Sequence, residues 1–484
     1  MAQPEAGKET RSSESPAASP ETWKAYSEDF RAAAHEAVDW IADYIANIRT
    51  YPVLPAVKPG ELADSLPAHG PEHPESFARM MADFDRQIVP AVTHWNHPGF
   101  FAYFGCTGST PAILGEMLAA ALNTNGLHWK TSPALVELEQ VTLGWLRDWV
   151  GLPADFFGIV YDTASTSTMH ALVAAREYVA PEARENGSHG DLTVYTSQQS
   201  HSSVEKGAIA IGIGQKNVRK IPTDAEFRMR PDALEQAVQA DIAAGKRPMC
   251  IVATVGTTSS TSIDPVVPIV EIAERYGAWL HIDAAYAGVA AMLPEKREIL
   301  AGAERAHSIV MNPHKWLLTS IDLSAFYTRR PDILRRAFSL VPEYLRASED
   351  PRAIHLMDYG VPLGHRFRSL KLWFILRYFG REGLQQILRS HIDLARQFAS
   401  WVDADARWER VAPVPFSTVC FRFRGSDDQN RAILEHVNAA GPVFLSHTEL
   451  NGKVVVRVAI GNLGSTIGDL RTAWELLQAA AAKV

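Results

Sequence analysis

Three cysteines in 484 residues, Cys106, Cys250 and Cys420, are too few and too scattered for a disulfide framework. None falls in a CxxC or zinc-ligand spacing, so they read as small buried hydrophobes in a reducing compartment, here expected to be the cytoplasm. The chain has no apolar run of about 18 residues, the length that would predict a membrane span. Residues 1–22 lack the apolar core of a signal peptide. Rich in Ser, Pro and Glu, they are expected to form a disordered tail. Neither sign of charge dominates: 47 Lys and Arg face 55 Asp and Glu, for a net charge of −8. That balance argues against a general nucleic-acid binder, and no cluster of metal-ligand spacing predicts a metal site.

What the chain does have is core: 46% of its residues are hydrophobic, enough for more than one domain. Val38, Ile41, Ile45 and Ile48 recur at helical spacing, then Pro52, Pro55 and Pro59 force an extended arm. A helix and arm with so little core of their own (residues 23–108) are expected to pack on something else, such as a second subunit. Across 109–377 short apolar runs alternate with helical stretches. LTVYTS, MCIVATVG, AWLHIDAAY and HSIVMNPHK read as buried strands, and RPDALEQAVQADIAAGK and PIVEIAERYGA as helices between them. This is the pattern of a mostly parallel sheet, which collects ligands at the carboxyl ends of its strands. Residues 378–484 predict a small α+β domain, with FSTVCFRF and KVVVRVAIG as strands of a half-exposed antiparallel sheet.

Two strand ends carry charges that apolar surroundings penalise. Lys315 in MNPHKWLL is costly to bury unless its charge is used, as in a Schiff base with an aldehyde cofactor. Taken alone, a snorkelling surface lysine is the simpler reading. Asp283 in HIDAAYAG would pair with a protonated pyridine nitrogen, and Ala284 and Ala285 leave room for a flat ring; a helix cap or metal ligand is the alternative. His201 in SQQSHSSVEKG follows a strand and is placed to stack on that ring, although an isolated loop histidine has the same look. In DTASTSTMHAL, Thr163, Ala164 and Ser165 start a helix whose free N–H groups suit a phosphate, or simply an N-cap.

Together with VDWIADYIANIRTYPVLPAVKPGEL, HPGFFAYF, SPALVELE, VATVGTTS, PLGHRFRSLKLW and RVAIGN, these segments resemble the group II pyridoxal-phosphate (PLP) decarboxylases, the aromatic-L-amino-acid decarboxylases above all. The resemblance runs from about Trp23 to the C-terminus. It implies the aspartate-aminotransferase (type I) PLP-dependent transferase fold: an α/β architecture with a mostly parallel central sheet, a small α+β C-terminal domain and an N-terminal helical arm. It also implies an intertwined homodimer with active sites at the subunit interface.

By position, the resemblance makes Lys315 the cofactor lysine, Asp283 the partner of the ring nitrogen, and His201 the residue stacked on the ring. Thr258 falls near the ring oxygen, Ala285 on the other ring face, His314 beside the imine, and Ala164, Ser165 and Asn312 at phosphate positions. Trp95, Tyr103 and Phe104 match the side-chain pocket, with Leu127 reaching in from the partner. Residues 338–360 match a catalytic loop whose Tyr344 helps protonate Cα. Relatives that release aldehydes tend to replace that tyrosine by Phe or the stacking histidine by Asn; here both Tyr344 and His201 are kept, so an amine product is expected. A flat aromatic pocket disfavours glutamate. Gly364 stands where relatives acting on indoles have glycine, which ranks tryptophan or 5-hydroxytryptophan first, then DOPA, tyrosine and phenylalanine. Gly105, Asn125, Leu127, Asp162 and Thr166 depart from the common family residues. An aldehyde synthase, or a decarboxylase of non-aromatic amino acids, is the alternative activity. A non-catalytic scaffold would be expected to have lost one of Lys315, Asp283, His201 or Tyr344. A transaminase would need a carboxylate-binding arginine, for which Arg366, Arg368 and Arg457 stay open.

Overall fold

A computed structural model describes residues 20–340, 350 and 352–484. The chain divides into two units, one ending at His94 and the other spanning Trp95–Val484. The tail expected over 1–22 falls largely outside the described residues.

In the first unit a helix runs Pro20–Ala46, starting well before the periodic stretch that opens at Val38; Pro20 is tolerated in a first helical turn. It stops ahead of the proline-rich arm, as those prolines require. Trp40 stacks on Tyr44 (centroids 5.2 Å apart), meets Phe84 edge-on and donates to Asp85 at 3.1 Å. The Tyr44 hydroxyl meets His94 Nδ1 at 2.8 Å, and burial pushes its pKa up to about 12. Elsewhere this unit leaves Tyr26, Phe30, Val38 and Ile45 exposed.

In the second unit, the described strands β1 (Phe157–Tyr161), β2 (Leu192–Ser197), β3 (Val218–Ile221), β4 (Arg247–Thr254), β5 (Trp279–Asp283), β6 (Ser308–Met311) and β7 (Ser324–Thr328) form one sheet. Their order is β1-β7-β6-β5-β4-β2-β3. Strands β3, β2, β4, β5 and β6 are parallel, and β7 runs antiparallel to both β6 and β1. Each apolar run read as a strand is one. Strands β1 and β7 had no such signal, since FGIVY and SAFYT mix small and polar residues. The register sets Thr254 beside Asp283 and Asp283 beside Val310, so β4, β5 and β6 end at one level. Leu280 and Ile282 fill one side of β5, and Trp279 packs on the other.

A second, antiparallel sheet has the order β10-β11-β9-β8, from β8 (Trp408–Arg410), β9 (Thr418–Phe423), β10 (Ser446–Leu450) and β11 (Lys453–Ala459). One face, with Val419, Phe421, Val456 and Val458, packs on Phe398, Ile433 and Leu470. The half-exposed sheet expected from alternation is not what forms. The other face is also covered, because Cys420, Leu450 and Val455 pack on Phe227 and Ala412. Residues near 100 join this sheet: Phe101 N–H donates to the Phe444 carbonyl, and Ala459 N–H to the Phe101 carbonyl, both at 2.9 Å. The helical run Arg368–Ala404 bends at Gly380, where φ is 62°.

His391 on that run ties three segments together. Its Nδ1 accepts from Trp316 Nε1 and its Nε2 lies on the Asn462 carbonyl, both at 3.1 Å. Burial holds its pKa down at about 4. The unfolded chain, with an ordinary histidine, therefore binds the extra proton first, and stability drains away as the pH falls from about 6.5 towards 4. His170 and His307 are shifted the same way to about 4 and add to the slope. Urea titrations from pH 7 to pH 5 should show this loss, with a shallower pH slope in His391→Gln.

Candidate active site

The carboxyl ends of β2, β4, β5 and β6 deliver His201, Thr258, Asp283 and the turn Asn312–Lys315 to one edge of the sheet. Lys315 sits in a one-turn helix, Pro313–Trp316, right after β6. Its Nζ lies 5.3 Å from the centroid of the Phe104 ring, and Arg457 Cζ lies 5.1 Å from the same centroid. Phe104 stacks on Tyr286 (4.1 Å), and Tyr286 on Trp316 (4.9 Å), giving the lysine an aromatic backing. Burial lowers the Lys315 pKa, and Asp283 opposes that shift. A lysine in this setting keeps more free amine at neutral pH, as a carbonyl-trapping nucleophile must.

Asp283 is 5% exposed and accepts the Ala285 N–H at 3.1 Å through Oδ1. Buried Ala284 and Ala285 beside it leave a flat floor. His201 Nδ1 accepts the Ser203 N–H at 3.1 Å and meets Ser203 Oγ at 2.9 Å, so the neutral ring carries its proton on Nε2. Burial lowers the His201 pKa, Lys315 adds to the shift, and Asp283 works against it.

His314 Nδ1 accepts the Leu323 N–H at 3.0 Å, and burial and then Lys315 drive its pKa down to about 4. Its Nε2 faces the Asn312 side-chain amide at 3.3 Å, and the other end of that buried amide has no partner. A neutral His314 with its proton on Nε2 calls for the amide oxygen there, which turns the NH2 outward as a free donor. Thr163 caps the helix Ala164–Val179 by accepting the Thr166 N–H, while Ser165 is exposed. A free amide donor and an open helix start suit a phosphate, and the Lys315 amine and Asp283 carboxylate suit a pyridine aldehyde. The residues present therefore fit pyridoxal phosphate. No cluster of three metal-ligating side chains occurs among the described residues.

The pocket residues divide into two groups. Trp95 stacks on Phe100 (4.4 Å) and Tyr103 (5.7 Å), Tyr103 meets Phe444 edge-on, and its N–H donates to Ser446 Oγ at 3.1 Å. Trp95 and Tyr103 remain 39% and 52% exposed, an open aromatic wall. Leu127 and Gly364 fall together in another place. The Leu127 carbonyl accepts from Met357, His365 N–H donates to Asn125 Oδ1 at 2.9 Å, and a Cβ on Gly364 would lie 3.6 Å from Asn125. His365 is anchored on buried Glu139 at 2.7 Å. Tyr344 lies outside the described residues, as do residues 341–349 and 351 of the loop. Sequence reading missed Tyr286, Trp316 and half-buried Cys106, and left Arg457 open. Only the register of β11 with β9 and β10 brings Arg457 to the lysine, and no local motif reports that.

A lysine and a buried aspartate at the carboxyl ends of a mostly parallel sheet, beside groups that suit a phosphate, fit a PLP enzyme of the α/β type I class. A model of the pyridoxal-dependent decarboxylase conserved domain matches residues 59–424, and the chain belongs to that family. It is 42% identical over 469 residues to tryptophan decarboxylase TDC2 of Camptotheca acuminata, covering 93% of this chain and 94% of that protein. It is 41% identical over 469 residues to phenylacetaldehyde synthase of Arabidopsis thaliana, covering 93% and 96%. The crystal structure of Oryza sativa TDC with PLP and tryptamine superposes with a TM-score of 0.92 at 38% identity, covering 94% of this chain and 98% of that one.

Lys315→Ala should lose the visible absorbance of the lysine-bound cofactor, with turnover down on the order of a thousandfold or more. Spectra and steady-state rates of the purified variant check both.

Proposed function

We propose that the chain removes CO2 from an aromatic L-amino acid and releases the amine, with tryptophan or 5-hydroxytryptophan preferred, then DOPA, tyrosine and phenylalanine. The observation that carries this is the placement of Phe104 against Lys315, continuous with the aromatic backing of the same site. An apolar ring wall beside the reacting amine favours a flat side chain over a carboxylate. Similarity to a tryptophan decarboxylase supports the same choice.

Bound pyridoxal phosphate supplies an electron sink for the pair released when the Cα–carboxylate bond breaks. Lys315 would hold the cofactor through its side-chain amine. With the cofactor bound, Asp283 would pair with its ring nitrogen, and Ala285 and His201 would hold the ring between them. Thr258 would adjoin the ring oxygen, His314 adjoins Lys315, and Ala164, Ser165 and Asn312 would hold the phosphate. Trp95, Tyr103 and Phe104 would hold the substrate side chain, and that positioning would select the bond that breaks. Tyr344 delivers the proton to Cα, and the loop around it excludes water.

A homodimer completes the site in this reading. The helix Thr110–Leu122 leaves Leu114, Met117, Leu118 and Leu122 exposed on one side, an apolar face suited to a second copy. Leu127 and Gly364 then serve the partner's pocket, and the N-terminal arm wraps the partner. The boundaries proposed for arm, large domain and small domain are 23–108, 109–377 and 378–484. Among the described residues no helix is long and apolar enough to cross a membrane; a cytoplasmic location belongs to the same proposal.

Similarity to phenylacetaldehyde synthase supports a second reading, oxidative release of an aldehyde. Product analysis decides. Incubation with L-tryptophan should give one tryptamine per CO2 with little hydrogen peroxide, and Tyr344→Phe should shift product towards aldehyde and peroxide. Peroxide and aldehyde as the main wild-type products would overturn the amine reading, and equal kcat/KM on glutamate would overturn the aromatic one. Light scattering should return twice the chain mass, and Leu118→Glu should lower both dimer fraction and activity.

A further inference from the structure

His281 stands two residues before Asp283 on β5, so both side chains leave the same face of the strand. It is fully buried, as is Ser308, its register partner on β6. Ser308 Oγ accepts from Trp279 Nε1 at 2.9 Å and lies 2.9 Å from His281 Nδ1. The indole can only donate to that oxygen; with the hydroxyl proton turned to Nδ1, the ring proton belongs on Nε2. That nitrogen is buried and has no hydrogen-bond partner among the described residues. Phe326 lies along the ring at 6.1 Å and helps fix its plane. A buried donor held by a two-residue relay, yet left without an acceptor, is a costly arrangement unless something outside the relay uses it.

Asp283 is the group placed to use it. Burial drives the His281 pKa down to about 4, so the ring is neutral at pH 7, and the Asp283 charge opposes that shift. Asp283 already accepts the Ala285 N–H through Oδ1 and has acceptor capacity left over. Each further donor to a carboxylate stabilises its charged form.

We propose that His281 is a positioning residue for Asp283. Its neutral ring, fixed by Ser308 and Trp279, presents Nε2–H to the carboxylate through one buried water. It thereby keeps the Asp283 carboxylate aimed at the place the cofactor's ring nitrogen would take. This rests on the reading of the edge as a pyridoxal-phosphate site. It assigns a task to a residue that touches neither cofactor nor substrate.

The test measures the affinity of the purified apoenzyme for pyridoxal phosphate by absorbance titration, with kcat and KM for L-tryptophan beside it. His281→Phe should weaken cofactor binding about tenfold or more and lower kcat while KM stays within about threefold. His281→Gln, which keeps a donor at similar reach, should recover most of both losses. Ser308→Ala, which frees the ring without removing it, should weaken cofactor binding a few-fold. His281→Phe binding the cofactor within about twofold of wild type would overturn the proposal. So would a His281→Gln protein that melts like wild type and is as impaired as His281→Phe. Should His281→Phe fail to fold, unchanged affinity in Ser308→Ala overturns it instead. If no aromatic amino acid is turned over but the order of affinities holds, the substrate reading falls and the role of His281 stands. A wild-type protein that does not bind pyridoxal phosphate overturns both.

Discussion

An ammonium group withdrawn from water must be neutralised or paired, and the site depends on how Lys315 meets that demand. Its amine sits against the Phe104 ring, with Arg457 near the same ring and the Asp283 charge within reach. Burial favours the free amine and Asp283 favours the ammonium, so the lysine is held between the two states. A surface lysine would stay charged and unreactive at neutral pH. The same low-dielectric setting strengthens the pull of Asp283 on any cation placed at the ring position.

The sheet makes this balance possible. Because β2 pairs with β4, and β4, β5 and β6 are in register at their carboxyl ends, an aspartate, a lysine-bearing turn and a histidine from distant parts of the sequence meet without a long loop. The second sheet contributes too. Arg457 is 5% exposed, and two of its guanidinium nitrogens have no partner among the described residues. His391 links the helical run Arg368–Ala404 to Trp316, immediately after the lysine. Packing of the small sheet and chemistry at the large one are therefore mechanically joined.

Much of the fold was legible in the sequence because its signals are local. Buried parallel strands read as apolar runs, and β2, β4, β5 and β6 were found that way. Strands β1, β3 and β7 were not, since Gly158, Ser324 and Thr328 interrupt the first and last, and Arg219 and Lys220 interrupt β3. The second sheet was expected to be half-exposed, because alternation reports one covered face and cannot report packing on a distant turn such as Phe227. In the site, Lys315, Asp283 and His201 stood out as polar residues at apolar strand ends. Tyr286, Trp316 and His281 did not, because an aromatic or a histidine in a buried run looks like ordinary core. Arg457 was visible as one of three candidates, and only the register of β11 singles it out. The aromatic character of the pocket came from resemblance and then gained a physical basis in the ring stack behind the lysine.

The central claim is that Lys315, and no other lysine, carries the cofactor. Borohydride reduction of the holoenzyme fixes the lysine–cofactor bond, and peptide mass spectrometry then locates it. The account predicts a single pyridoxyl label on the peptide containing Lys315. A label on another lysine, such as buried Lys371 paired with Glu116, or no label on a protein that still turns over, would contradict it.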